Sequence, residues 1–98
     1  MQTEIEYLNI VVDHQLERQI KSELAKIEER FSWVTHAIIH LKKSQHHEEH
    51  CICEIELRMP GPELFVSEAA EKFRFAITKA FDKMHRQLEK RKARLYKK

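Results

Sequence analysis

The chain has 98 residues, of which 42% are apolar and 35% are charged, and its formal net charge is +2 at pH 7. This length and composition predict one globular domain, residues 1–98, and exclude a disordered chain. No apolar run is long enough to span a bilayer, and residues 1–6 contain no basic residue that could begin a secretory signal. We therefore expect a cytoplasmic protein without a membrane partner.

A short strand and a helix are the first predicted elements. Residues 2–7 alternate between apolar and polar positions, which is typical of a half-buried strand. Asp13 can cap the helix that follows, because its carboxylate can accept hydrogen bonds from the first free helix amides. We expect the helix to end at Ser32 and Trp33. It is predicted from apolar residues that recur every three or four positions: Leu16, Ile20, Leu24, Ile27 and Phe31.

Three further strands are predicted between residues 34 and 67. Residues 34–43 and 51–59 alternate in polarity, and a strong turn signal, PGP, separates them from a short strand at 64–67. Cys51 and Cys53 fall on the core face of their strand. Their spacing along one strand does not suit a disulfide without backbone movement, so we expect reduced thiols.

From about Ala69 the apolar period becomes helical, and no Gly or Pro interrupts it, so a helix of about 25 residues is expected. The predicted order is therefore β-α-β-β-β-α. A right-handed crossover should make the first two strands parallel, and the remaining pairs should be antiparallel. We predict an α+β fold with a four-stranded mixed sheet and two helices on one face of that sheet.

Positive charge is concentrated at the end of the chain, since residues 82–98 carry a net charge of +6 and residues 1–81 a net charge of −4. This distribution is typical of a protein that binds a polyanion. Basic residues recur every three or four positions along one face of the last helix. We expect this part of the helix to extend past the sheet, where its cations can contact RNA phosphates. A solvated helix end, whose cations interact only with the helix dipole, remains an alternative.

The segment HHEEHCIC, residues 46–53, contains several His and Cys residues, which are the common ligands of zinc. A zinc site is therefore another alternative. Its spacing contains neither CxxC nor HxxxH, and both cysteines fall on the core face. We therefore predict no metal site and no cofactor. The histidines of the loop are expected to lie in water.

A pair of histidines, His36 and His40, should face outward beside Glu54 and Glu56 of the next strand. His and Glu can perform acid–base chemistry. However, no nucleophile, glycine-rich phosphate loop or oxyanion arrangement accompanies them in the sequence. Cross-strand charge pairs on an exposed sheet face explain the pattern better. We therefore predict that the protein is not an enzyme.

Residues 76–95, AITKAFDKMHRQLEKRKARL, resemble the final helix of the ribosome hibernation promoting factor family, which includes ribosome-associated inhibitor A and is also called the sigma-54 modulation protein family. Residues 24–31, LAKIEERF, resemble the end of the first helix of that family, and residues 39–42 and 61–64 resemble a strand and a turn. The sequence is similar to the short form, without a long C-terminal extension. It departs from the family at residues 72–78, KFRFAIT, where two acids and a tyrosine are absent.

The resemblance implies a fold similar to double-stranded RNA-binding domains. It also implies a hibernation factor that binds 16S rRNA and ribosomal proteins of the small subunit, in the channel for messenger and transfer RNA. Such a factor inhibits translation sterically during stationary phase or stress, without a small-molecule substrate. A generic RNA-binding module with a non-ribosomal target remains an alternative. Matching the family motifs assigns rRNA contacts to Lys83, Arg86, Gln87, Lys90, Arg91, Lys92 and Arg94, and also to Lys26 and Lys42.

Overall fold

The computed structural model of the protein describes residues 1–45 and 50–95. Its element order confirms the predicted β-α-β-β-β-α arrangement. The elements are β1 (Gln2–Leu8), α1 (His14–Arg30), β2 (His36–Lys43), β3 (Cys51–Arg58), β4 (Leu64–Ala70) and α2 (Phe73–Leu95).

The four strands form one mixed sheet in the order β1-β2-β3-β4. β1 runs parallel to β2, with Ile5 opposite Ile39, as the predicted crossover through α1 requires. β3 is antiparallel to both of its neighbours, so that Ile55 lies opposite Ile39 on one side and Val66 on the other. A row of four β-branched apolar residues therefore crosses the sheet on the face that the helices cover.

Both helices pack on that face and close the core. α1 contributes the fully or nearly fully buried Ile20, Leu24 and Ile27, which are members of the predicted apolar stripe. Burying an aliphatic or aromatic side chain stabilises a fold by roughly 1.5–3 kcal/mol, so these contacts hold the helices in place. Within residues 1–45 and 50–95, the buried set contains no polar or charged residue. α2 contributes Ala76, Ile77, Ala80, Phe81, Met84 and Leu88.

The ends of α1 are set by local contacts. Asp13 is the N-cap, and its Oδ1 accepts hydrogen bonds from the backbone N–H of Gln15 at 2.8 Å and of Leu16 at 3.4 Å. At the other end Phe31 is the C-cap, and its N–H donates to the carbonyl oxygen of Ile27 at 2.7 Å. The cap was predicted correctly, and the helix ends slightly earlier than expected.

β4 is longer than the sequence pattern suggested, and α2 begins later. The strand continues to Ala70 and the helix starts at Phe73, so the predicted helix start near Ala69 was wrong. The reason is pairing with β3, because Ala69 lies opposite Ile52 and Ala70 opposite Cys51. Tertiary pairing of this kind outweighs the helix preference of alanine.

A single glycine shapes the connection between β3 and β4. Gly61 has φ of +95°, a conformation in which other residues are strained. It lies beside the guanidinium of Arg91, since a Cβ built on Gly61 would be 3.6 Å from Arg91 Nη1. The turn between β3 and β4 therefore lies against the later part of α2. In the part of the chain described, neither helix is both long and apolar enough to cross a membrane.

Candidate nucleic-acid interface

The later half of α2 carries most of the predicted rRNA contacts and is anchored to the core. Met84 and Leu88 have no exposed surface and anchor one side of the helix against the core. From residue 89 to residue 95 the described helix contains no buried residue. The end of α2 is thus more exposed than its middle, although Arg91 and Lys92 are half-buried and contact Pro62 and Phe31.

Three cations on α2 point into solvent, and we call them the basic row: Arg86, Lys90 and Arg94. Each is exposed, and none forms an ion pair or a side-chain hydrogen bond within residues 1–45 and 50–95. They are spaced by four residues, so each lies about 6 Å further along the helix axis than the one before it. The row is a stretch of uncompensated positive charge that can bind several phosphates at once.

Two more lysines extend this charge towards the start of α2. Lys83 Nζ lies 3.5 Å from Glu68 Oε2, and the lysine side chain is 55% exposed. Exposed pairs of this kind stabilise a fold by at most about 1 kcal/mol, so a phosphate could replace the carboxylate. Lys79 Nζ donates to the carbonyl oxygen of Ala69 at 2.8 Å. Lys79 was not among the predicted contacts, although its spacing of four residues from Lys83 could have indicated it.

Beside the basic row lies an open groove of about 270 Å³ between α2 and β4. Its lining combines an apolar surface with groups that can bind a nucleotide. Gln87 offers an amide, and Lys90 and Arg94 offer positive charge close to Leu64. The structure therefore brings Gln87 together with Lys90 and Arg94 of the basic row.

Arg91 has a different environment from the other arginines of the helix. Its Nη2 donates to the carbonyl oxygen of Pro62 at 3.0 Å. Its Nη1 is buried and has no hydrogen-bond partner in the described part of the chain. Arg91 therefore holds the turn between β3 and β4 against α2, and only part of its guanidinium faces the groove.

Lys92 lies on the flank of α2 that faces α1. Its Nζ is 5.7 Å from the centroid of the Phe31 ring, a favourable distance for a cation–π contact. On the same flank Arg30 forms an ion pair with Glu89. These contacts tie α2 to α1, so Lys92 does not join the basic row.

Lys26 and Lys42 lie away from the basic row. Lys26 Nζ is 3.3 Å from Glu23 Oε1, in a crevice between the helices that also includes Asp82 and His85. Lys42 Nζ is 3.2 Å from Glu54 Oε2, on the side of the sheet that the helices do not cover. The structure therefore does not bring these two lysines together with the other predicted contacts.

The two cysteines are free thiols in the core, as their strand position predicted. Burial, together with the nearby Glu54 carboxylate, raises the pKa of Cys53 to about 12. Burial also raises the pKa of Cys51, whose Sγ donates to the carbonyl oxygen of Glu71. A high pKa disfavours the thiolate that metal binding requires. Residues 46–49 lie outside the described residues, and within residues 1–45 and 50–95 no group of three metal-ligating side chains is found.

Comparisons with known proteins identify the family and show the same fold in solved structures. A family model described as "Sigma 54 modulation protein / S30EA ribosomal protein" matches residues 3–96. A ribosomal subunit interface protein from Coxiella burnetii has a similar structure, with a TM-score of 0.78 and 17% identity over 95% of this chain and 99% of that one. The N-terminal domain of Protein Y from Thermus thermophilus has a TM-score of 0.75 and 19% identity over 92% and 98%. No curated protein matches the sequence.

Proposed function

Because this chain belongs to the sigma 54 modulation protein / S30EA ribosomal protein family, we propose that it is a ribosome hibernation factor that binds the small ribosomal subunit. The observation that carries the proposal is the basic row, since Arg86, Lys90 and Arg94 are exposed and have no acidic partner among the described residues. RNA phosphates can supply the negative charge that these residues lack.

The chemistry of binding follows from the surface around the row. Arg86 and Arg94 can each hold a phosphate with two hydrogen bonds, and Lys90 adds a point charge between them. Lys83 joins them when a phosphate replaces Glu68. Gln87, at the wall of the groove, can bond a base or a ribose of an irregular RNA loop.

The other predicted contacts take secondary roles in this proposal. Arg91 and Lys92 keep α2 in position through Pro62 and Phe31. Lys26 and Lys42 are peripheral contacts to 16S rRNA or to ribosomal proteins, because they lie away from the basic row, each beside a carboxylate.

The proposed effect on translation is steric. A protein held in the channel for messenger and transfer RNA excludes both of them, so initiation stops while the factor is bound. No bond is made or broken, and dissociation restores the ribosome. This mode of action suits stationary phase or stress in the cytoplasm, when ribosomes must be stored and later reused.

Reversal of the basic row tests the proposal. The variant Arg86→Glu, Lys90→Glu, Arg94→Glu should fold normally, since the three side chains are exposed, but it should lose co-sedimentation with small subunits in a sucrose gradient. Binding of the unchanged protein should weaken as the salt concentration rises. The slope of the logarithm of its binding constant against the logarithm of the salt concentration should be steeper than that of the variant by roughly 2–3 units.

A matched control separates the position of the charges from their number. The variant Arg18→Glu, Lys21→Glu, Lys43→Glu changes the net charge equally, at exposed positions away from the row, and should still bind ribosomes. Equal loss in both variants, or retained binding of the row variant, would overturn the proposal. Tight binding to free RNA without any preference for ribosomes would instead favour a non-ribosomal target.

A further inference from the structure

The side of the sheet opposite the helices is open, and we call it the outer face. Its residues follow from the strand register, because the inward residues Ile39, Ile55 and Val66 alternate with outward ones. Neither described helix packs on this side, since the apolar surfaces of both helices are buried in the core on the other side. The outer face consists of Gln2, Glu4, Glu6, Leu8, His36, Ile38, His40, Lys42, Ile52, Glu54, Glu56, Arg58, Phe65, Ser67 and Ala69.

The charge of the outer face is opposite to that of the basic row. It holds four carboxylates and two permanently charged cations, so its net charge is −2 with neutral histidines. The cations are already engaged by acids, since Lys42 pairs with Glu54, and Arg58 lies 3.4 Å from both Glu56 and Glu63. Glu4 is exposed and has no ion pair within the described ranges. Glu6 Oε2 lies 3.0 Å from His40 Nδ1, so Glu4 is the carboxylate of the outer face that has no ion pair among the described residues.

Apolar side chains lie between these carboxylates. In one row across the sheet, Glu4 lies opposite Ile38, Ile38 opposite Glu56, and Glu56 opposite Phe65. Phe65 is 56% exposed, which is high for a phenylalanine on a regular strand. A ligand on this row would meet acidic and apolar groups in alternation.

We propose that the outer face is a docking surface for an extended protein segment rich in lysine and arginine. Glu4 attracts its cations directly, and Glu54 and Glu56, although paired with Lys42 and Arg58, contribute to the net negative charge of the face. Phe65 and Ile38 contact the aliphatic parts of its long side chains. Exposed aromatic residues on a four-stranded sheet can also stack RNA bases. Here the surrounding carboxylates repel phosphates, so charge complementarity favours a basic polypeptide over RNA.

The proposal is independent of what the basic row binds, and NMR can test it directly. The probe is a synthetic peptide of about ten residues, alternating Lys or Arg with Val, which spans the length of one strand. Its titration into labelled protein should shift the amides of β1, β3 and β4 around Glu4, Glu56 and Phe65, and leave those of α2 unchanged. A peptide with Glu in place of each basic residue should cause no shifts.

Matched variants sharpen the test. The variant Glu4→Gln, Glu54→Gln, Glu56→Gln should bind the basic peptide about tenfold more weakly, as expected when several exposed charge pairs are lost. The variant Glu28→Gln, Glu29→Gln, Glu71→Gln has the same net charge and should bind as the unchanged protein does. The reversed basic row should also leave peptide affinity intact.

Three results would overturn the inference. The first is equal weakening in both glutamine variants, which would show attraction by net charge alone. The second is a single-stranded RNA that shifts the same outer-face amides. The third is self-association of the unchanged protein that increases with its concentration and is lost in the variant Glu4→Gln, Glu54→Gln, Glu56→Gln. The outer face would then bind a second copy of this chain.

Discussion

At the scale of single residues, the neighbours of a side chain decide what it can bind. Arg91 and Arg94 are separated by less than one turn of α2, yet Arg91 donates to Pro62 and Arg94 points into solvent. The family resemblance assigned both as rRNA contacts. It could not separate them, because the contact of Arg91 depends on a turn that lies 29 residues earlier in the chain.

These two arginines should respond differently to truncation. Arg94→Ala should weaken RNA binding about fivefold and reduce the salt slope by about 1, because one phosphate contact is lost. Its thermal stability should not change. Arg91→Ala should lower the free energy of unfolding by about 1 kcal/mol, since the hydrogen bond to Pro62 is lost.

Urea denaturation and filter binding over a range of salt concentrations would measure both effects. The variant Arg91→Lys serves as a control, because lysine keeps the charge but cannot reproduce the planar guanidinium contact. It should therefore resemble Arg91→Ala in stability. If Arg91→Ala loses RNA affinity at full stability, then Arg91 contacts RNA directly and the role assigned to it is wrong.

At the scale of elements, local signals predicted helix α1 well, and long-range pairing limited the prediction of α2. The cap at Asp13 and the stripe Ile20, Leu24 and Ile27 depend on residues within a few positions of each other, so the sequence contains them. The boundary between β4 and α2 depends on pairing of Ala69 with Ile52. The periodicity of one sequence does not show which residues of two strands pair. The predicted start of the helix was therefore too early in the chain.

The turn between β3 and β4 allows a prediction at this scale. Gly61→Ala should destabilise the protein by roughly 1–2 kcal/mol, because alanine is strained at a φ of +95°. The new Cβ would lie at an ordinary contact distance of 3.6 Å from Arg91, so the cost comes from the backbone and not from a clash. Thermal unfolding would measure the loss.

Asparagine provides a comparison at the same position, because it tolerates positive φ better than alanine does. Gly61→Asn should therefore be less destabilising than Gly61→Ala, although it introduces the larger side chain. The opposite order would indicate that space beside Arg91, and not backbone conformation, selects glycine at this turn.

At the scale of the whole molecule, the two sides carry opposite charge. The sequence indicated net negative charge on residues 1–81 and net positive charge on residues 82–98. The predicted order of elements placed the positive charge at the end of the last helix. It did not show that four of the acids share one face, because that requires the register of β1, β2 and β3. Likewise, the seven residues of the predicted interface on α2 separate into four groups only when the packing of α2 is known: an exposed row of three, a lysine paired with Glu68, a groove wall and two structural contacts.

The crossover between β1 and β2 has a consequence for how the molecule opens. β1 lies at the edge of the sheet and pairs with a single neighbour, and the whole of α1 separates it from that neighbour in the chain. Closing so long a loop costs entropy, so detachment of β1 recovers more chain freedom than detachment of a hairpin strand. We expect the amide hydrogens of β1 to exchange with deuterium sooner than those of β2 and β3, through a local fluctuation that leaves α2 docked. Equal protection across the sheet would show instead that it opens only as one cooperative unit.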